Sequence, residues 1–76
     1  MDFNSEIFVE RLNIIMKEHP VTFVAIANEL GMSRSALSQM RRGDIFPSVK
    51  TLFAIAKYFD ISLNWLLGLS DKKDLV

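Results

Sequence analysis

Cysteine is absent from the 76 residues, which excludes disulfide staples, thiolate metal sites, iron–sulfur clusters and cysteine nucleophiles together. Histidine occurs once. His19 stands beside Pro20 at a predicted helix end and reads as a surface residue, with no second ligand or orienting acid to make it a metal site or a base. Proline and glycine are scarce, at two and three residues, so few turns punctuate the chain. No strictly apolar run exceeds about five residues, far below the roughly 18 that span a bilayer. The amino terminus, Met1-Asp2-Phe3-Asn4, lacks the basic and apolar regions of a signal peptide. The carboxylates form no pair at Mg²⁺ or Ca²⁺ spacing, there is no phosphate loop, and the serines lack an accompanying base. The expectation is a cytoplasmic protein that is not an enzyme and has no cofactor, metal, membrane or small-molecule ligand.

What is present is 50% hydrophobic and 24% charged, enough for one domain over residues 1–76. Its core is expected at residues 4–69, with a polar tail over 70–76 expected to fray. Net charge is zero, which argues against an indiscriminate polyanion binder. The distribution is uneven: residues 1–30 carry net −3, whereas residues 31–50 carry Arg34, Arg41, Arg42 and Lys50 against Asp44, net +3. Any nucleic-acid role must reside in that central cationic patch.

The apolar spacing predicts five short helices and no sheet. The first runs from a cap at Asn4 or Ser5 to about His19, with Phe8, Leu12, Ile15 and Met16 on one face and Pro20 as its stop. Thr22 caps a second helix that buries Ile26, Ala27 and Leu30 and ends at Gly31. Ser33 caps a third, Arg34 to Arg42, which is the most polar. Gly43 closes it, and Ser48 caps a fourth with Val49, Leu52, Ile55, Ala56 and Phe59 inward. Ser62 caps a last helix carrying Leu63, Leu66 and Leu67, ended by Gly68.

The informative stretch is 23–42, where two short helices meet at a glycine turn. Ala27 is small enough to let the helices approach, Gly31 supplies the turn's backbone angle, and Leu37 with Met40 buries the underside of the third helix. Its other side must then face outward, and that side is built from hydrogen-bonding groups. Arginine pairs bidentately with guanine and glutamine with adenine, while serine serves several bases or a phosphate.

On these residues the chain resembles the helix-turn-helix family of phage Cro and lambda-type repressors. The matching pieces are Glu10-Arg11-Leu12, Ile26-Ala27-Asn28-Glu29-Leu30-Gly31-Met32-Ser33, Ser35-Ala36-Leu37-Ser38-Gln39-Met40, Arg42-Gly43, Pro47-Ser48-Val49-Lys50-Thr51-Leu52, and the run from Ala56 to Gly68. Each piece alone is a weak signal, whereas all of them in order over about 60 residues are a strong one. The resemblance implies an all-α, compact five-helix, lambda-repressor-like domain. It also implies a bacterial or phage transcriptional regulator, a repressor, whose third helix reads the major groove of a double-stranded DNA operator. Carried over residue by residue, Arg34, Ser35 and Gln39 read bases, with Ser38 beside them. Thr22, Asn28, Ser33 and Arg42 contact the DNA backbone, joined by Arg41 as an extension of the cationic patch.

Two positions depart from the family pattern. Phe23 stands where the family usually has a glutamine that braces a phosphate and a base-reading side chain. Arg41 and Met16 stand where it often pairs a glutamate with a base, leaving Arg41 for solvent, a phosphate or an acid elsewhere in the chain. Apolar content this high in so small a domain also exceeds what it can bury, so Ile45, Phe46, Phe23, Trp65 and Leu69 suggest an interface. A homodimer built from the last helix and the loop at Ile45 and Phe46 is expected, since two third helices related by a two-fold axis read half-sites about 34 Å apart. A different class also fits: the same scaffold as a protein-interaction module, an antitoxin subunit or antirepressor partner, for which the neutral charge and apolar surface would serve.

Overall fold

Four of the helices begin where a hydroxyl stands in for a missing backbone partner. In the computed structural model, which describes residues 5–19 and 21–74, the elements are α1 (Ser5–Glu18), α2 (Phe23–Glu29), α3 (Arg34–Arg42), α4 (Val49–Phe59) and α5 (Leu63–Leu66). The hydroxyls of Thr22, Ser33, Ser48 and Ser62 accept from the backbone N–H three residues on, at 3.1, 3.0, 3.3 and 3.3 Å, satisfying donors that a helix start leaves unpaired. Ser5 is the first residue of α1; Asn4 as its cap and Pro20 as its stop lie outside the described residues. The chain reverses at Gly31 and Gly43, with φ of +66° and +83°, angles that side chains resist. Asp60 ends α4 in the same left-handed region, which aspartate tolerates better than most residues.

The core is continuous and apolar. Phe8, Leu12 and Ile15 of α1 meet Ile26, Ala27, Leu37 and Met40 from the two shorter helices and Leu52, Ile55, Phe59, Trp65 and Leu66 from the last two. α1 packs against α3 and α5, α2 against α3, and α4 against α5. Among the described residues no polar or charged side chain is buried and none leaves a buried polar atom unpaired. Hydrophobic area therefore holds the domain together.

This packing bears on four expectations. Residues 70–74, part of the tail expected to fray, make contacts back to the domain. Ser62 N donates to Lys73 O at 2.8 Å, an isolated antiparallel bridge joins Ile61 to Asp74, and Lys73 Nζ reaches Glu18 Oε1 at 2.8 Å. The hydrogen bond to Glu18 raises the pKa of the Lys73 ammonium above the usual lysine value, so the lysine stays charged at neutral pH and its side of the contact is lost as the pH climbs through the raised value. Val49, expected inward, is 68% exposed, because it opens α4 before the apolar stripe has turned to the core. Trp65, expected at an interface, is only 7% exposed. Arg11 lies over its ring at 5.0 Å and Lys73 at 6.0 Å. Finally, His19, expected at the surface, is half-buried: its Nδ1 lies 2.7 Å from Ile15 O, and its ring meets Phe59 edge-on at 4.8 Å.

Arg11 is the hub of this closure. Its guanidinium donates to the carbonyls of Trp65 and of Ser70, the latter at 2.9 Å, and lies 3.6 Å from Asp71 Oδ1. It thus adds a second donor to Trp65 O, which also accepts from Gly68 N at 3.0 Å, and ties the end of α5 to α1. Arg11→Met keeps the apolar stem but loses these bonds, and is expected to cost about 1–2 kcal/mol, a fall of roughly 5–15 °C in a thermal melt followed by circular dichroism. An unchanged midpoint would remove Arg11 from that role.

Candidate nucleic-acid interface

The outer face of α3 is set by its anchors. Leu37 and Met40 are fully buried, and at about 100° per residue their burial turns Ser35, Ser38 and Arg42 to the centre of the opposite side. Gln39 falls on one flank, Arg34 and Arg41 on the other. Nine residues make this a rod of about 13 Å. α3 carries three arginines and no acid, so its field is positive along its whole length. Arg34 and Ser35 are exposed, and Arg34 makes no hydrogen bond or ion pair with any described residue.

The remaining side chains on this face are already ordered by short-range hydrogen bonds. Gln39 Nε2 donates to Ser35 Oγ at 3.2 Å, one turn away. That leaves the second amide proton and the carbonyl oxygen of Gln39 available, the pair an adenine edge requires. Arg42 Nη1 donates to Ser38 Oγ at 2.9 Å and its Nε to Asp44 Oδ2 at 3.1 Å. Asp44, an acid two residues beyond Arg42, was not picked out from sequence as its partner; its closeness in the chain was the available signal. Both side chains are well exposed, so the pair holds by little more than about 1 kcal/mol and opens readily.

The expected backbone-contacting residues sit around this rod. Thr22 and Ser33 are the caps of α2 and α3, and both are exposed. Asn28 is exposed at the end of α2, where its carbonyl accepts from Gly31 N at 3.1 Å. Among the described residues Arg41 does not find an acid. Its Nε donates to Asn13 Oδ1 at 2.9 Å, and its guanidinium lies over the Phe23 ring at 5.5 Å. The two departures from the family pattern thus meet each other in space, joined by Asn13 of α1, a residue that sequence reasoning did not single out.

The expected interface residues divide. Ile45 and Leu69 are exposed, Leu69 at 65%, and Phe46 is half-exposed with its ring edge-on to Phe8 at 5.2 Å. Trp65 is withdrawn into its own core. Val49 and Phe53, one turn apart on α4, add apolar surface that was not anticipated, Phe53 being 62% exposed. Their spacing of four residues was the signal, hidden because α4 is apolar on nearly every side. Among the described residues no group of three or more His, Asp or Glu could hold a metal ion, and no helix is long and apolar enough to cross a membrane.

Comparison with known proteins agrees with this geometry. Residues 24–66, from within α2 to the end of α5, match the family model described as helix-turn-helix. Two relatives from Bacillus subtilis are the uncharacterized HTH-type transcriptional regulators YobD and YqaE. YobD is 27% identical over 67 residues, 88% of this chain and 60% of YobD; YqaE is 36% identical over 67 residues, 87% of this chain and 58% of YqaE. The HTH-type transcriptional regulator DicA of Escherichia coli is 37% identical over 65 residues, 84% of this chain and 48% of DicA. The chain therefore spans about half to three-fifths of the length of these relatives. No solved structure matches it. With its matched span covering the turn, α3 and the two helices behind them, the chain belongs to the helix-turn-helix family of the Cro and lambda-repressor type.

Proposed function

We propose that this chain binds duplex DNA sequence-specifically and represses transcription, with α3 in the major groove and two copies acting as a homodimer in the cytoplasm. The observation that carries the reading is the outer face of α3, exposed, free of acids and lined with groups that match base edges. In this reading Arg34, Ser35 and Gln39 read bases, with Ser38 beside them. Thr22, Asn28, Ser33, Arg41 and Arg42 hold the phosphates. The relatives, all HTH-type transcriptional regulators, support the same role.

A single rod of this length reads only a few base pairs, and the dimer supplies the rest. The protomer measures 31 × 27 × 21 Å, a size compatible with two copies whose α3 helices lie one turn of B-DNA, about 34 Å, apart. The exposed Ile45, Phe46 and Leu69 are the surface we assign to that contact, with Val49 and Phe53 as an alternative face on α4.

Selection of bound sequences from random duplexes is the decisive test, with a palindromic motif expected. A gel-shift titration against salt separates the rival class: no salt-dependent binding to any duplex, with tight capture of a protein, would favour the interaction module. Arg42→Ala should weaken binding to all sequences about equally and flatten the salt slope by about one. A slope unaltered by that substitution would place Arg42 away from the phosphates.

A further inference from the structure

The strongest unassigned feature is the junction of α1, α2 and α3 at Asn13. Its amide nitrogen donates to Val9 O at 2.9 Å within α1 and to Arg41 O at 3.1 Å across to α3. Its oxygen accepts from Arg41 Nε at 2.9 Å. Both amide protons and the carbonyl are used, so the side chain has one orientation. Arg41 O belongs to the last turn of α3, where carbonyls lack helical partners, and Asn13 supplies one. The guanidinium is fixed from a second direction by the ring of Phe23, 5.5 Å away at the start of α2.

Asn13 and Phe23 therefore hold Arg41 at two points while engaging only one of its five N–H donors. The four on the two Nη atoms are left for an outside acceptor. They border a groove of about 440 Å³ that Lys17 of α1 also lines, and no acid lines it. Two cations without a counter-charge, beside the positive rod of α3, suit an anionic oxygen.

We propose that Asn13 and Phe23 are positioning residues that aim Arg41 at a phosphate of the DNA backbone, replacing the glutamine and the glutamate pair of related domains with an amide and a ring. The proposal rests on the DNA-binding reading and adds two residues to it. A planar fork held at Nε and on one face presents its Nη pair in a fixed direction, so little rotamer freedom is lost when a phosphate arrives.

The test is a double-mutant cycle by fluorescence anisotropy, using a labelled duplex carrying the selected sequence over a range of salt. Arg41→Gln should lower the magnitude of the log–log salt slope by about 0.9, one phosphate contact. Asn13→Ala should weaken binding about threefold to tenfold in the wild-type background and leave it nearly unchanged when Arg41 is already glutamine. Phe23→Leu, which keeps the bulk but removes the π face, should show the same dependence on Arg41. Thermal melts of every variant separate loss of fold from loss of aim, because a merely structural Asn13 would cost the same in both backgrounds. Equal costs in the two backgrounds, or a slope that Arg41→Gln leaves unchanged, would overturn the proposal while leaving DNA binding intact. Absence of salt-dependent binding by the wild type would overturn the functional reading and this inference with it.

Discussion

Leu37→Ala is expected to destabilise the domain by about 2–5 kcal/mol, the range for a leucine truncated where its neighbours cannot collapse onto the gap. Leu37 has no exposed surface, and it belongs to the buried apolar cluster of the described residues. A domain of this size has a total stability of roughly 4–11 kcal/mol, so the loss is a large share of the whole. Function should follow stability here. A nine-residue helix is too short to persist alone in water, and the recognition face exists only while its underside is held. Urea denaturation should show a lower midpoint with an unaltered slope, and DNA affinity should fall in proportion to the unfolded fraction. At a temperature where the variant is fully folded its base preference should equal that of the wild type. A loss below about 1 kcal/mol would mean that α3 is anchored elsewhere and that its outward face is not fixed as described.

The double variant Arg34→Ala with Gln39→Ala is expected to do the reverse, sparing stability and removing discrimination. Both residues lie on the outer side of α3, and neither contributes to the core. Their substitution should change the melting midpoint little, since alanine is a good helix former and surface changes away from special features fall within about 0.5 kcal/mol. Each bidentate base contact is worth roughly 1–3 kcal/mol of discrimination. Losing two that act independently should compress the ratio of specific to non-specific affinity by roughly 30-fold or more. Ser35 would also lose its partner, because Gln39 Nε2 donates to its hydroxyl. Competition binding with the selected operator against versions changed at single base pairs reads the effect position by position. A double variant that keeps the full wild-type preference would move base reading away from these two side chains.

Much of the fold was legible in the chain because its signals are local. A serine or threonine three residues ahead of a backbone N–H, a glycine where the chain must turn left-handed and apolar residues at helical spacing all act within one or two turns. α3 is observed over Arg34–Arg42, as expected, and Leu37 and Met40 are buried as their spacing required. The fates of Arg41, Trp65 and the tail were not legible, because each depends on a partner far along the chain. Asn13 lies 28 residues from Arg41, and Arg11 lies 54 from Trp65.

The amino-acid order by itself determined five helices, the faces of α1, α2 and α3, and the positive, hydrogen-bonding strip of α3. Each follows from backbone geometry and solvation that one segment decides alone. Only the tertiary structure decided which charges are engaged and which apolar groups remain outside. Arg41 went to an amide and a ring, Trp65 inward under Arg11, and Phe53 outward. Those outcomes turn on where three-dimensional packing leaves room, and a one-dimensional pattern of polarity carries no information about distance across a core.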